Sequence, residues 1–309
     1  MLNDLFRFFL WVKRSLFLLL VTLPVWAGMD FARAETSLSH EIVGKPFEYV
    51  VKQGDFLISL AARFGEPALL IAQSNGIDYN KRLHLGQRLA IDNRHVVPET
   101  SCDGILINLP QRMLFFFRDG TLAGAYPVGL GMPTWPTPDG EFSVVQLQKN
   151  PAWIIPISIQ AEMRKKGETV LTKVPPGPDN PLGKYWMGLS IPGYGIHGTN
   201  APPSVYHFQS HGCIRLQPEN IEKLFPQIEV GEPGKIIYAP VLLALLNDGR
   251  IYLEIDRDIY NRGINAFPML IELAEANHLT NRIDWYAVTQ TIDQQTGIAR
   301  QINLQAGTQ

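Results

Sequence analysis

Apolar residues between positions 104 and 239 come in short runs that are divided by turn residues. The runs are Gly104–Leu109, Met113–Phe117, Thr121–Val128, Glu141–Gln148, Trp186–Ile191 and Lys235–Ala239. Short strands with such punctuation are typical of a sandwich or a barrel-like core. The sequence therefore predicts a mainly β domain at residues 100–240, with one helix at 217–226.

Residues 47–93 follow a different pattern, which predicts a small strand–helix–helix–strand module. One helix is indicated by apolar residues at helical spacing, namely Leu57, Leu60, Ala61 and Phe64. Asp55 is expected to cap this helix and Gly65 to end it. A second short helix is expected around Leu69–Ile71, and the two strands at Tyr49–Val51 and Leu85–Ile91. Residues 35–46, ahead of the module, are expected to be a linker.

The last part of the chain, residues 241–309, predicts a small α+β piece. A strand is expected at Gly249–Ile255 and a helix at Pro268–Asn277, where several apolar residues share one face. The segments Trp285–Ile292 and Gly297–Leu304 are expected to pair as a hairpin.

The first 34 residues carry the pattern of an export signal. A basic pair, Lys13 and Arg14, precedes the apolar stretch Ser15–Trp26. The run Ala32–Ala34 then fits the small-x-small rule, so cleavage before Glu35 is expected. An uncleaved membrane anchor is the alternative. In both cases the protein is expected to work outside the cytoplasm, in the periplasm.

The charge balance argues against one class of partner. The 309 residues include 27 Lys and Arg and 29 Asp and Glu, for a formal net charge of −2. The sequence also has no basic run with interleaved aromatic residues. Nucleic acid is therefore not expected as a partner.

One cysteine and two histidines lie close together in a stretch that contains several glycines. The segment Ser210–Leu216 reads SHGCIRL, and the earlier segment Ile196–Asn200 reads IHGTN. A cysteine attacks a carbonyl as thiolate, and a neighbouring imidazole or cation favours the thiolate by lowering the pKa of the thiol. His197 and His211 both supply an imidazole, so the pattern predicts acyl transfer from Cys213.

Two further features of the motif fit this chemistry. Gly212 lets the backbone turn tightly, and the N–H groups of Gly212 and Cys213 can face a developing oxyanion. Arg215 brings a positive charge toward a thiolate or a substrate carboxylate.

Three other interpretations of Cys213 stay open at this point. It can be an inert buried cysteine. It can join His197 and His211 as a zinc ligand, although the usual paired-ligand spacing is missing and no metal or other cofactor is expected. It can also form a disulfide with Cys102, which an oxidising compartment permits.

Three segments in one order resemble the L,D-transpeptidase catalytic domain of the YkuD type. They are Thr137–Phe142 (TPDGEF), Pro176–Gly183 (PGPDNPLG) and the two histidine-containing segments taken together. The resemblance implies a β-sandwich in which Cys213 is the nucleophile and His197 the general base. The main-chain carbonyl of Gly198 would orient that base.

The same resemblance implies supporting roles for other residues. His211, Gly212 and Cys213 would line the oxyanion side, and Ser210 would support the loop. Arg215 and Asn200 would contact the substrate. The segment 149–185 is rich in Pro and Gly and too long for an ordinary connection. It is expected to be a lid over Cys213 that carries Trp153 and Tyr185 toward the substrate. The alternative is that these two aromatic residues pack the loop down.

The small module resembles a LysM domain, which binds glycans that contain N-acetylglucosamine. Tyr49–Asp55 and Gly86–Leu89 carry the resemblance, and Phe56 departs from the small hydroxyl residue that is usual there. The expected glycan-binding residues are Gly54, Asp55, Asn75 and Ile77. A spacer or a subunit contact is the alternative role of the module.

Together these resemblances imply an enzyme that acts on peptidoglycan stem peptides and glycan strands. The acyl acceptor is left open between a second stem peptide, an outer-membrane lipoprotein and water. A non-catalytic peptidoglycan-binding protein and a zinc-dependent hydrolase are the alternatives from other classes.

Overall fold

The computed structural model describes residues 37–100 and 103–304. The predicted export signal at 1–34 and the proposed disulfide partner Cys102 lie outside the described residues. Within the two described stretches, no helix combines the length and the apolar character needed to cross a membrane.

The N-terminal module has the predicted strand–helix–helix–strand order. Its elements are β3 (Pro46–Val50), α1 (Leu57–Phe64), α2 (Ala68–Ser74) and β4 (Arg88–Asp92), preceded by β1 (Leu38–Ser39) and β2 (Ile42–Val43) and followed by β5 (His95–Val96). Strands β3 and β4 pair antiparallel, and both helices pack their apolar faces on them. Gly65 ends α1 as expected, with a φ of 76° and a hydrogen bond from its N–H to the Ala61 carbonyl.

Asp55 does not cap α1, contrary to the prediction. Its Oδ2 accepts hydrogen bonds from the backbone N–H of Lys52 at 2.8 Å and from the hydroxyl of Tyr49 at 2.6 Å. The carboxylate thus closes the turn before the helix, and Phe56 occupies the N-cap position.

The expectation of a linker at residues 35–46 is wrong for the described part of this segment, residues 37–46. Strand β1 pairs in parallel with a strand near the other end of the chain, with Leu38 opposite Leu243. Strand β2 pairs antiparallel with β5. Both partner strands are remote in sequence, so the three apolar residues Leu38, Ile42 and Val43 could not reveal the pairing.

The middle of the chain forms one large, mixed sheet. Its strands are β6 (Gly104–Asn108), β7 (Met113–Arg118), β8 (Thr121–Gly131), β9 (Gly140–Lys149), β12 (Tyr185–Leu189), β13 (Gly195–His197), β14 (Phe208–Ser210), β15 (Ile214–Leu216) and β16 (Pro233–Ile237). Their order is β14-β8-β15-β13-β12-β9-β16-β6-β7. The first half of β8 also pairs with β7, so this long strand joins the two ends of the sheet around one core.

The core explains why strand β6 is buried on both faces. Ile105 and Ile107 pack in one buried cluster with Val128, Met187 and Ile196. Leu106, on the other face of the strand, packs in a second buried cluster. Helix α4 (Pro218–Leu224) covers the first of these clusters with its own apolar side chains. The prediction of a mainly β domain is therefore confirmed, and the helix expected near 217–226 is present. The expectation of one helix is wrong, because residues 157–166 form another.

The segment 149–185 has structure of its own. It contains the paired strands β10 (Trp153–Ile154) and β11 (Lys173–Val174), and helix α3 (Ile157–Lys166) lies between them. No residue of α3 is buried, so its position depends on a few polar contacts.

The C-terminal piece is a four-stranded sheet with two helices. It consists of β17 (Val241–Leu245), β18 (Ile251–Ile255), α5 (Ala266–Ala276), α6 (Trp285–Gln294) and β19 (Arg300–Gln301), and β1 completes the sheet. The predicted hairpin at 285–304 is wrong, because residues 285–294 form α6. Asp284 caps that helix by accepting hydrogen bonds from the N–H groups of Tyr286 and Ala287.

Candidate active site

Two adjacent parallel strands bring the cysteine and one histidine of the motif together. His197 ends β13, and Cys213 directly precedes β15. In the register of the two strands, His197 lies opposite Arg215. Paired residues and residues two apart share a face of a sheet, so Cys213, Arg215 and His197 project from the same face.

The hydrogen bonding of His197 determines its tautomer. Its Nδ1 lies 2.6 Å from the carbonyl oxygen of Gly198. Because a carbonyl can only accept, Nδ1 carries the proton and Nε2 keeps a free lone pair. The expected orienting role of the Gly198 carbonyl therefore agrees with this geometry, and Nε2 is able to accept a proton.

The surroundings of His197 keep its ring neutral. Its side chain is buried and stacks on the Trp186 indole, with ring centroids 5.8 Å apart. Burial and then the nearby charge of Arg215 lower the pKa of His197 to about 3, against the hydrogen bonds to Gly198 and Leu182, which raise it. Gly195 makes room for the indole, since a Cβ there would lie 2.3 Å from a ring carbon of Trp186.

The thiol of Cys213 is partly exposed and not bonded to sulfur. Its Sγ lies 3.9 Å from the carbonyl oxygen of Gly193. Burial raises the pKa of this thiol, and a hydrogen bond with the backbone of Gly195 and the charge of Arg215 lower it in part. The resting pair is therefore a neutral thiol beside a neutral imidazole, as a general-base mechanism requires.

The loop that carries Cys213 is held by its own hydrogen bonds. The Ser210 hydroxyl donates to the Cys213 carbonyl at 2.6 Å and accepts from the Gly212 N–H at 3.1 Å. The expectation that the Gly212 N–H faces an oxyanion is thus not met, because Ser210 already takes it. Thr137 donates to the Gly212 carbonyl at 2.9 Å and was not among the predicted site residues, although it begins the TPDGEF segment.

The contacts of His211 do not suit a role as the general base. Its Nε2 lies 2.7 Å from an oxygen of Glu162, and its ring packs edge-on against Trp135. Glu162 belongs to α3 and also pairs with Lys166 at 2.6 Å. These two contacts lower the pKa of Glu162 to about 2. Nothing in the local sequence indicated Glu162, because its link to His211 joins residues 49 positions apart.

The predicted substrate-contacting residues fall into two groups. Tyr185 and Asn200 line a cavity of about 400 Å³ that also touches Gly198 and Thr199, and Tyr185 packs against Phe225. Trp153 does not line this cavity and lies in β10 instead. Helix α3 reaches the cysteine loop through Glu162, which supports the expectation that this segment lies over the site.

The residues expected to bind glycan are largely engaged inside the small module. The Asn75 amide donates to the Ile71 and Ala90 carbonyls, and its oxygen accepts from the Ala90 N–H. Ile77 packs against the module core, and Gly54 has open space around it. Glycan contact at these positions stays a prediction.

Among residues 37–100 and 103–304, no group of three or more His, Cys, Asp and Glu side chains is arranged to hold a metal ion. The zinc interpretation of Cys213 with both histidines therefore finds no support in the geometry.

Comparison with known proteins places the chain in a family. The L,D-transpeptidase catalytic domain family (YkuD) matches residues 103–237, and the LysM domain family matches residues 49–92. A protein of Salmonella typhimurium named "Probable L,D-transpeptidase ErfK/SrfK" is 33% identical over 219 residues, which cover 69% of this chain and 70% of that protein. This chain belongs to the L,D-transpeptidase family.

Further L,D-transpeptidases are similar over shorter stretches. "Probable L,D-transpeptidase YbiS" of Escherichia coli K12 is 36% identical over 172 residues, 55% of this chain and 56% of that protein. The NMR structure of the catalytic domain from an E. faecium L,D-transpeptidase is 24% identical, covers 45% of this chain and 100% of that domain, and has a TM-score of 0.35.

The contact between Glu162 and His211 leads to a first prediction for this L,D-transpeptidase. Glu162→Gln removes the charge that holds His211 in place, so we expect kcat for transpeptidation to fall about threefold to tenfold, with little change in KM. Glu162→Asp is expected to restore part of the rate. Glu168→Gln, an exposed change just beyond α3, is the matched control. Equal kcat values for Glu162→Gln and Glu168→Gln would rule out the positioning role.

Proposed function

We propose that this L,D-transpeptidase uses Cys213 to form a thioester with a peptidoglycan tetrapeptide stem. The observation that carries the proposal is the placement of Cys213 and His197 on one face of adjacent strands, with the Gly198 carbonyl on Nδ1 of His197. A buried imidazole with one nitrogen fixed and the other free is suited to take the thiol proton.

The first half of the reaction releases D-alanine. His197 Nε2 takes the proton of Cys213 as its sulfur attacks the carbonyl between meso-diaminopimelate and D-alanine. The carbon–nitrogen bond then breaks, and the leaving amine of D-alanine takes the proton back from His197. Arg215 supports the transient thiolate by its charge, and the Cys213 N–H is the remaining main-chain candidate for the oxyanion.

The second half transfers the stem to an acceptor. An amine attacks the thioester carbonyl, gives its proton to His197, and restores the Cys213 thiol. A diaminopimelate amine of another stem gives a 3–3 cross-link, and a lysine of an outer-membrane lipoprotein gives protein attachment. Water gives L,D-carboxypeptidase activity. The cavity lined by Tyr185 and Asn200 reaches Gly198, the residue after His197, and is the surface we assign to stem binding.

The LysM domain supplies affinity for the other half of the polymer, its glycan strands. The predicted export signal at residues 1–34 would bring the enzyme to the periplasm, where that polymer lies. Peptidoglycan is therefore the proposed partner of both domains.

Mass spectrometry of the intact protein tests the proposal. After incubation with a disaccharide-tetrapeptide, we expect a mass gain equal to the substrate minus D-alanine, located on the peptide that contains Cys213. Adding a second stem, a lipoprotein-derived lysine peptide or no amine then identifies the acceptor from the product. No adduct on Cys213 while D-alanine is still released would contradict the thioester.

A further inference from the structure

The segment 258–264 of the C-terminal piece lies against the catalytic domain. It follows β18 and ends shortly before α5. Its apolar residues Ile259, Tyr260 and Ile264 pack against the buried cluster that contains Ile105 and Val128. The match to the L,D-transpeptidase catalytic domain ends at residue 237. The segment 258–264 therefore brings side chains from outside the matched domain to its surface.

Hydrogen bonds within the C-terminal piece and to Tyr238 fix the shape of this segment. The Asp258 carboxylate accepts from the hydroxyl of Tyr238 at 2.6 Å and from the backbone N–H groups of Arg262 and Gly263, both at 2.9 Å. The Tyr260 N–H donates to the Tyr238 hydroxyl at 3.0 Å, and the two tyrosine rings stack with centroids 5.8 Å apart. Hydrogen bonds to a charged group are among the stronger ones in proteins, so the Tyr260 side chain is presented in one orientation.

The Tyr260 hydroxyl closes the turn 131–137, which connects β8 with β9. It donates to the Gly131 carbonyl at 2.8 Å and accepts from the Thr137 N–H at 3.3 Å. Burial raises the pKa of Tyr260, so its hydroxyl stays protonated and keeps donating. Just beyond the turn, Arg262 pairs with Asp139 at 2.6 Å. A single side chain of the C-terminal piece thus holds both ends of the turn.

The turn 131–137 in turn holds the loop that carries the nucleophile. A Cβ on Gly131 would lie 2.9 Å from the Cα of Gly212, so the two backbones are in close contact. Three consecutive loop residues are contacted by the turn. The contacts are a hydrogen bond from the Met132 N–H to the Ser210 carbonyl at 2.9 Å, the packing of Trp135 on His211, and a hydrogen bond from the Thr137 hydroxyl to the Gly212 carbonyl at 2.9 Å.

The last of these hydrogen bonds bears directly on the oxyanion. The Gly212 carbonyl and the Cys213 N–H belong to one planar peptide unit and point in opposite directions. The Thr137 hydroxyl therefore fixes the direction of the Cys213 N–H, and by polarising the peptide it strengthens this N–H as a donor. Because Ser210 takes the Gly212 N–H, the Cys213 N–H is the main-chain donor left for the oxyanion. Such a donor stabilises the transition state only when it is aimed in advance.

We propose that Tyr260 is a positioning residue for the oxyanion donor of Cys213 and that it acts through Thr137. This assigns the C-terminal piece a part in catalysis, by contacts that run from Tyr260 to Thr137 and then to the Gly212–Cys213 peptide. The inference rests on the proposed function, because an oxyanion forms only when Cys213 attacks a carbonyl. Neither Tyr260 nor Thr137 lines the cavity assigned to stem binding, so substrate binding should not depend on them.

Acylation rates of hydroxyl-deletion variants test the proposal. The rate constant for acylation of Cys213 by a disaccharide-tetrapeptide is measured by intact mass spectrometry over a range of concentrations. Tyr260→Phe should lower its saturating value about threefold to tenfold and leave the half-saturating concentration unchanged. Thr137→Val should lower it about tenfold to a hundredfold, and Thr137→Ser should restore most of the rate. Tyr286→Phe, at an exposed position of α6, is the matched control.

Three further measurements separate positioning from general stability. If Tyr260 acts through the Thr137 hydroxyl, the double variant should be acylated at the rate of Thr137→Val alone. Alkylation of Cys213 by iodoacetamide forms no oxyanion, so its rate should be the same in Tyr260→Phe and in the wild type. The amide nitrogen signal of Cys213 in NMR should move in the same direction in Tyr260→Phe and Thr137→Val, and should not move in Tyr286→Phe.

Three results would overturn the role of Tyr260. Equal acylation rates of Tyr260→Phe and Tyr286→Phe would show that its hydroxyl is not needed. A double variant that is slower than Thr137→Val by the full factor of Tyr260→Phe would show that Tyr260 does not act through Thr137. Equal slowing of alkylation and acylation would mean a loosened loop. A wild-type protein that is never acylated would contradict the proposed function instead, and the Cys213 amide signal would still test the contacts from Tyr260.

Discussion

Replacing Cys213 by alanine is expected to reduce D-alanine release and cross-link formation by on the order of 10⁴-fold or more. The sulfur is the atom that would become acylated, and no other thiol lies in the described part of the site. His197, Arg215 and the loop bonds of Ser210 would stay in place without it. The measurement is chromatography of the muropeptides released from sacculi after incubation with each protein.

The fold should survive this change, because the Cys213 thiol makes only weak hydrogen bonds, with the Gly193 carbonyl at 3.9 Å and with the backbone of Gly195. The variant should therefore keep its melting temperature and its affinity for N-acetylglucosamine oligosaccharides. Cross-links formed at the wild-type rate by Cys213→Ala would refute the thiol mechanism. A wild-type protein that binds sacculi without changing them would instead be a peptidoglycan-binding protein.

His197→Asn is expected to lower the rate of acylation by about 10³-fold. The asparagine amide can still donate to the Gly198 carbonyl, so the orienting bond is kept and only the proton acceptor is lost. Because the pKa of His197 is lowered to about 3, the wild-type rate should not fall near pH 6.5 through protonation of this base. The matched control is His278→Asn, an exposed change at a φ of 56° that asparagine tolerates.

The same histidine makes stability depend on pH. Its folded pKa lies below its ordinary value of 6.5, so the unfolded chain binds a proton first as the pH falls. The free energy of unfolding should then decrease between pH 6.5 and about 3, by up to about 1.4 kcal/mol per pH unit from this group. Urea unfolding at several pH values should show a shallower decrease for His197→Asn than for His278→Asn. Parallel curves for these two variants would mean that His197 is readily protonated in the fold.

The local sequence pattern predicted most of the helices and strands that are determined by residues close together in the chain. The helix Leu57–Phe64 was predicted correctly because both its buried face and its end at Gly65 depend on residues that are close in sequence. The strands from Gly104 to Val128 were found for the same reason. The strands at 38–43 were missed, because two-residue strands have no periodicity and their partners lie up to 205 residues away.

Residues 285–294 were predicted to form a strand but form a helix. Their mixture of aromatic and β-branched residues favours a strand locally, yet the Asp284 cap and the burial of Val288 and Thr291 make a helix. Asp55 was likewise misjudged, since a carboxylate before a helix can serve the turn instead of the cap. In each case the tertiary contacts decided between two local options of similar free energy.

For the chemistry, the sequence by itself determined which groups are the candidates. The motif at 210–216 with the histidine at 197 indicated a cysteine nucleophile with an imidazole base, and the resemblance to the L,D-transpeptidase catalytic domain implied that His197 is this base and that the Gly198 carbonyl orients it. Only the tertiary structure decided their states. Strand pairing put Arg215 near both Cys213 and His197, burial beside Trp186 kept the imidazole neutral, and Glu162 of α3 engaged the His211 ring. Such effects depend on distance and burial, which a chain acquires only when it folds.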